Sequence, residues 1–495
     1  MPEISPAIAE YRQIFAKRSA EELYLLAQIK RFSEHLVGDP DFREALARNS
    51  SNLKAVTEAY GLSIDAELLR PLFSRAYGHY RFENGDQRWP LAQLWDGFIQ
   101  DKLKHRDTLC GLADSKGINP RYDAWRRRQI QRCAGELGSH NSSIVHSLVS
   151  YELSRGCTVG CWFCGISADR FGGALPYNVD TERLWRGILQ TMVKRFGNAA
   201  QSGFCYWATD PCDNPDYAEF IKAHYEETGM LPQTTTAIPL KNIALTKEVL
   251  ALSQEVPCVT NRFSILTKSI MQRVHAEFSP MELLNVELVM QQKNALTAKS
   301  ISGRALERVK SNQAKGKDEK ISELPSQPST IACVSGFLVN MLDKKVRLAS
   351  PTCSSEQWPD GYRVYEEARF ETVEDFADII DGMVDRYMPE GLSDKDVLEF
   401  RPDLAISGTD RGFIAETKSL RRTYDNARFG RQLGVLIRSG KHTVGELIRE
   451  LAGNGESVLE IHYELQTLFD SGLLNDDPVH GGINRHRASV CLNAI

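Results

Sequence analysis

The sequence predicts an α/β protein: a partial (β/α)6 barrel set between an N-terminal helical domain and a C-terminal winged-helix-like domain. Three observations carry this expectation. Six strand-like segments alternate with helical patterns between about 140 and 385, helical apolar spacing fills the first 115 residues, and two capping boxes lie beyond 390. The expected domain limits are 1–115, 116–389 and 390–495.

In the first region Asp39-Pro40 supplies an N-cap followed by a first-turn proline, and Gly61 is a stop for a helix ending at Ala59-Tyr60. Phe42, Leu46, Leu53 and Val56 recur at helical intervals, a pattern that packing alone explains.

In the middle region Ile144 to Leu153 reads as the first strand and Thr181 to Phe196 as an amphipathic helix. Further strands are expected at Gly203–Thr209, Gln233–Ile238, Val259–Leu266, Leu284–Met290 and Ile331–Leu338, with Tyr217–Thr228 among the intervening helices. In barrels of this kind the reacting groups gather at the C-terminal ends of strands. Lys299 to Lys320 carries seven basic and three acidic side chains around glycines, so it reads as a solvated connector that could also shield the site.

In the last region Thr443-x-x-Glu446 and Ser457-x-x-Glu460 each open a short helix. Val458, Ile461, Leu465 and Leu468 form one face of the second, Gly472 can end it, and Leu473-Leu474 starts a strand-like wing. That helix carries Glu460, Glu464 and Asp470 and no lysine or arginine, so it would repel a phosphate backbone.

Composition narrows the function classes. The 495 residues have a formal charge of -5, with no basic excess to favour nucleic acid. No apolar run approaches the ~18 residues of a membrane span, and the N-terminus is charged instead of signal-like. A cytoplasmic protein without a membrane partner is expected. Its eleven cysteines then suggest metal or catalytic use in preference to a disulfide framework.

Cys157, Cys161 and Cys164 form a C-x3-C-x2-C run just past the first strand. Three thiolates can hold three irons of a cubane, whereas filling every iron takes four. The fourth iron would stay open for a bidentate amino-carboxylate, and an open position marks a reacting metal site. A zinc knuckle is the plainer alternative, but it wants a fourth ligand, and the nearest histidine, His146, precedes the run on the expected strand.

This run resembles the radical S-adenosylmethionine superfamily. The resemblance implies a [4Fe-4S] cluster, S-adenosylmethionine bound to its free iron, and one-electron cleavage to a 5′-deoxyadenosyl radical by way of an external one-electron donor. It also implies that Phe163 packs near the adenine. Ala208-Thr209-Asp210-Pro211 stands in register with the Gly-Gly-Glu-Pro signature that contacts the cofactor's amino group; both glycines are replaced, while Asp210 keeps a carboxylate and Pro211 the turn. Arg262 and Ser264 alternate along the fourth expected strand and share a face, which could be the barrel interior where a ribose hydroxyl and a carboxylate need partners; a paired core arginine is the alternative.

Downstream of the run the thiols are Cys205, Cys212, Cys258, Cys333, Cys353 and Cys491, with no C-x2-C pair for an auxiliary cluster. Cys353 stands in a loop bracketed by Pro351 and Pro359-Asp360-Gly361 after a strand pattern at Lys345–Leu348. From about 120 onward the chain resembles the radical S-adenosylmethionine epimerases of proteusin biosynthesis. That resemblance implies a ribosomal precursor peptide as substrate, its leader bound by the C-terminal region as an added β-strand, and Cys353 as hydrogen-atom donor to a planar Cα radical. The alternative is thioether or carbon–carbon crosslinking of the same substrate class.

Overall fold

A computed structural model describes residues 6–82, 88–256, 260–292, 294–297, 300–314, 329–425 and 427–478. Cys258 and Cys491 lie outside the described residues, as does the end of the segment expected to be a connector.

Six helices open the chain: α1 (Pro6–Ala16), α2 (Ala20–Gly38), α3 (Pro40–Arg48), α4 (Leu53–Ala59), α5 (Arg70–Phe73) and α6 (Pro90–Leu112). Asp39 caps α3 through the N–H of Asp41, and Gly61 takes a left-handed φ of +70° just past α4. Phe42, Leu46, Leu53 and Val56 share one buried cluster with Phe32 and Ile29 from α2.

Next comes α7 (Pro120–Leu137), a helix with two sides to serve. The middle region continues with β1 (Ser147–Glu152), a short hairpin of β2 (Ser154–Arg155) and β3 (Gly173–Ala174), α8 (Val179–Phe196) and α9 (Tyr217–Thr228). Then follow β4 (Thr235–Thr236), α10 (Ile243–Glu255), β5 (Asn261–Ile265), α11 (Lys268–Glu277), β6 (Val286–Met290) and α12 (Gly303–Ala314). The region closes with β7 (Val334–Asn340), β8 (Lys345–Pro351), β9 (Tyr362–Arg369) and α13 (Val373–Tyr387).

The strands fall into two main sheets. β4, β5 and β6 run parallel, while β1 pairs in parallel with β7, and β8 and β9 extend that sheet in antiparallel fashion. The sixth expected strand, β7, is thus hydrogen-bonded to the first. Among the described residues no ladder joins the two sheets, so they do not close into the expected barrel there.

Two expected strands are shorter than their patterns suggest, for a common reason. At 203–209 only Phe204 bridges to Ser150; beyond it the Ala208 N–H goes to the Glu152 carboxylate (2.8 Å), and Phe204 and Trp207 pack in an aromatic cluster. At 233–238 the Thr234 N–H goes to the Asn261 side chain and the Ala237 N–H to that of Asp210 (2.7 Å). Side-chain acceptors have taken the place of ladder partners.

The last elements are a meander of β10 (Ala405–Gly408), β11 (Phe413–Glu416) and β12 (Arg421–Tyr424), then α14 (Gly430–Ser439), α15 (Val444–Gly453) and α16 (Val458–Asp470). They enclose their own core around Phe413, Leu433, Leu447, Ile461 and Leu468. Thr443 makes both arms of its capping box, whereas Ser457 only accepts from the Glu460 N–H. At the expected wing the Leu473 and Leu474 side chains are buried and Leu474 bridges to Phe400, while the chain from 479 on lies outside the described residues. Among the described residues no helix is long and apolar enough to cross a membrane.

Candidate functional site

β1 delivers the chain to a loop that the sequence ties tightly. Gly156 turns at φ +65°, where a Cβ would meet the Arg170 carbonyl at 2.3 Å, and the Cys157 N–H donates to the Asp169 carbonyl (2.9 Å). Within the closed loop Cys157, Cys161 and Cys164 are each half-buried. The Val159 N–H points at Cys157 Sγ (3.4 Å) and the Ala168 N–H at Cys164 Sγ (3.3 Å). Burial pushes the Cys157 thiol up to about 12, with Asp210, Asp213 and Cys161 adding to it, and burial with Cys164 pushes Cys161 up to about 11.

These thiols therefore feel one another's charge, and ionising them needs a bound cation to compensate. Backbone N–H groups aimed at two of the sulfurs suit an iron–sulfur cluster, whose thiolates accept such bonds. Among the described residues no group of three His, Cys, Asp or Glu side chains is placed to hold a metal ion. His146 is not turned to the run: its ring is bound by Ser335 Oγ (2.8 Å) and Asn141 Oδ1 (3.0 Å).

Beside the loop lie two aspartates, Asp213 and Asp210. Asp213 accepts from the N–H and hydroxyl of Thr158 (2.8 and 2.6 Å) and from Lys241 (2.5 Å), so it fastens the loop to the far end of β4. Asp210 accepts from Thr236 Oγ1, the Ala237 N–H and the Cys212 N–H; burial raises its carboxyl to about 6 against the pull of those bonds. The expected cofactor contact, Asp210, is thus also the clasp that ends β4. Next to it Thr209 Oγ1 is buried with no hydrogen-bond partner, an orphaned hydroxyl facing the need for a polar ligand.

The other expected cofactor contacts are more dispersed. Phe163 is half-buried and meets Trp162 edge-on at 5.3 Å. On β5 Arg262 and Ser264 do share a face, but Arg262 donates to Glu287 across the sheet (2.8 Å). Arg262 and Glu287 line a cavity of about 450 Å³ together with Gln233, Trp95, Phe98 and Lys102.

Cys353 sits in the loop after β8, with its Sγ donating to the Glu136 carbonyl at 3.3 Å. Thr352 Oγ1 donates to the carboxylate of the same Glu136 (2.9 Å), which also binds Arg132 (2.9 Å) and Arg363 (3.0 Å). Burial, helped by Glu136 and Asp403, pushes the Cys353 thiol up to about 11, so it stays S–H at neutral pH. Among the described residues Cys353 makes no bond to the cysteine run. The two are joined through the start of α12, where the Gly303 N–H donates to the Pro359 carbonyl of the Cys353 loop (2.7 Å) and the Arg304 N–H to the Cys164 carbonyl (3.0 Å).

Sequence reasoning missed Glu136, Asp213, Lys241 and Arg304. Only α12 left a usable trace: Arg304 and Arg308, four apart beside the apolar Ala305 and Leu306, put both guanidiniums on one side of a helix.

A groove of about 1030 Å³ runs between α7 and the C-terminal elements, lined by Arg127, Gln131, Arg422, Tyr463, Gln466 and Asp470. Its Arg422 belongs to β12, an edge strand of its sheet.

Residues 398–472 match the sequence family described as the protein y4wI C-terminal domain. The chain is 42% identical over 468 residues to the "Uncharacterized protein y4wI" of Sinorhizobium fredii, covering 94% of this chain and 90% of that one. A structure of BtrN in complex with AdoMet and 2-DOIA overlaps 40% of this chain and 71% of that chain at 13% identity and a TM-score of 0.26, too slight a likeness to carry a conclusion.

Proposed function

The chain belongs to the y4wI protein family, and from the site it carries we propose a radical S-adenosylmethionine enzyme that converts L-residues to D-residues in a ribosomally made precursor peptide. One observation supports this above the others: Cys157, Cys161 and Cys164 lie half-buried on a closed loop past the first strand, with N–H groups directed at two of the sulfurs. Cys157, Cys161 and Cys164 would hold a [4Fe-4S] cluster, and Thr209 Oγ1 is free to meet the S-adenosylmethionine beside it. When bound, this pair supplies a deoxyadenosyl radical able to remove a peptide Hα.

Cys353 is the residue we assign to complete the inversion. Its thiol is neutral, which a hydrogen-atom donor requires, and its S–H is held by the Glu136 carbonyl. Delivery of that hydrogen from the face opposite to abstraction yields the D-residue, with placement alone deciding configuration. The sulfur is left one hydrogen short, and an external one-electron donor with a solvent proton restores it.

The C-terminal part (390–495) would recognise the leader. Its β12 edge and the face of α16 with Tyr463 and Gln466 border the groove, a geometry that suits an added strand. α16 has no lysine or arginine, which disfavours nucleic acid. The barrel (116–389) would carry the chemistry and 1–115 would cover it, in a cytoplasmic protein.

Incubation of reduced enzyme, cofactor and precursor in D2O tests the reading. One deuterium is expected at each inverted Cα; cofactor cleavage without label would sink the thiol route. The second reading is crosslinking by the same radical, and it differs in product mass, because a crosslink removes two hydrogens and epimerisation removes none.

A further inference from the structure

The segment that reads as a solvated connector does something else. α12 sets its N-terminus directly on the cysteine loop, with Ile301, Ser302 and Ala305 buried beneath it. From this helix a single residue reaches three carbonyls of the loop. The Arg304 backbone N–H donates to Cys164 (3.0 Å), Nη1 donates to Cys161 (2.9 Å) and Nη2 to Ala168 (2.6 Å). One turn on, the Arg308 guanidinium lies 4.5 Å over the Trp162 ring.

The approach is possible because two glycines face each other. A Cβ on Gly303 would fall 2.7 Å from the Gly165 carbonyl oxygen, and one on Gly165 would fall 2.8 Å from Ile331 and Ser302. Gly303 also takes φ +51°, a region that side chains disfavour. The loop and the helix are therefore built to touch.

We propose that Arg304 is the positioning residue of the cysteine loop: its fork ties the carbonyls of Cys161 and Ala168, on either side of Cys164, and its charge sets the reduction potential of the cluster held there. This rests on the iron–sulfur reading of the three cysteines. A cluster with three thiolates is anionic and gains a further negative charge on reduction. A guanidinium fixed beside it stabilises the reduced state more than the oxidised one and raises the potential. Arginine suits the task because its planar fork can satisfy two carbonyls at once while keeping its charge; lysine offers the charge from a single point.

Arg304→Gln and Arg304→Lys separate charge from clamp. Both would be reconstituted anaerobically with iron and sulfide beside the unaltered chain and Arg308→Gln, then compared by iron content after desalting and by potentiometric titration of the reduced-cluster paramagnetic signal. The glutamine variant is expected to titrate at a more negative midpoint and to bind iron on the order of tenfold more weakly, as loss of an outer-shell partner typically does. The lysine variant should return the midpoint toward that of the unaltered chain, and Arg308→Gln should leave it in place. Should the glutamine variant take up no cluster, recovery of cluster and midpoint by lysine supports the proposal equally. It is overturned if Arg304→Gln titrates like the unaltered chain, or if lysine is as displaced as glutamine. A chain that takes up no cluster even with Arg304 intact would instead refute the reading of the cysteines themselves.

Discussion

Glu136 holds Cys353 and its neighbour by both ends: its backbone carbonyl accepts the Cys353 S–H at 3.3 Å, and its carboxylate accepts the Thr352 hydroxyl at 2.9 Å. The thiol assigned to hydrogen return is thereby fixed by a residue on α7, more than 200 positions away in the chain.

Replacing Cys353 with alanine should uncouple abstraction from inversion. The variant is expected to form 5′-deoxyadenosine yet give no D-residues, as judged by chiral analysis of hydrolysed peptide. Normal inversion would remove the assignment.

Glu136→Gln should cost about 3 to 5 kcal/mol, because it leaves the buried Arg132 without its counter-charge and Arg363 with Asp477 alone. Denaturant unfolding measures this. The carboxyl is held at about 2 by those guanidiniums against the cost of burial, below its ordinary value of about 4.3. Its stabilisation is thus complete above that ordinary value and is lost as pH falls toward 2. The glutamine variant should lack this part of the acid dependence.

His146 should produce an earlier acid effect. Burial holds its imidazole near 3, and Arg126 and Arg132 push it the same way, so the ring is neutral when folded. The unfolded chain takes up a proton below about 6.5, so stability should fall with decreasing pH from there toward 3, by up to about 1.4 kcal/mol per pH unit for this group. His146→Gln should show a slope smaller by one proton; an unchanged slope would mean that the ring is charged in the fold.

Recognition at the groove is tested by Arg422→Glu and Tyr463→Ala. Tyr463 is 71% exposed, so its loss should leave the unfolding midpoint within a degree or two, in keeping with surface positions. On the proposed function, affinity for a leader-bearing precursor peptide should fall by about tenfold or more in each, read by fluorescence anisotropy. Unchanged affinity would move the leader elsewhere.

Local features were the legible ones. The Tyr217–Thr228 helix, the Asp39 cap and the Thr443 capping box follow from residues a few positions apart, and the cysteine spacing is likewise local. Contacts made across the chain left little trace: the Arg132–Ser350 bond spans 218 positions and the Arg304–Cys161 bond 143. The second expected strand is short because past Phe204 its aromatic side chains pack together and the Ala208 N–H turns to the Glu152 carboxylate. The meander at 405–424 is absent from the sequence reading since its strands are four residues each, too short for a period to declare itself.

α7 has a consequence for how the two halves of this protein can be studied. Arg128 donates to the Pro389 carbonyl and stacks over Phe469 at 4.0 Å, Gln129 binds Asp476, Arg422 binds Gln131 and Thr417 binds the Gly135 carbonyl, while Arg132, one turn on and bonded to Gln129, reaches Ser350 on β8. Cutting the chain near residue 390 would strip one flank of this shared beam and loosen the thiol loop that hangs from its end. Deletion is therefore the wrong scissors here, and only single side-chain changes can part substrate capture from stereochemical outcome.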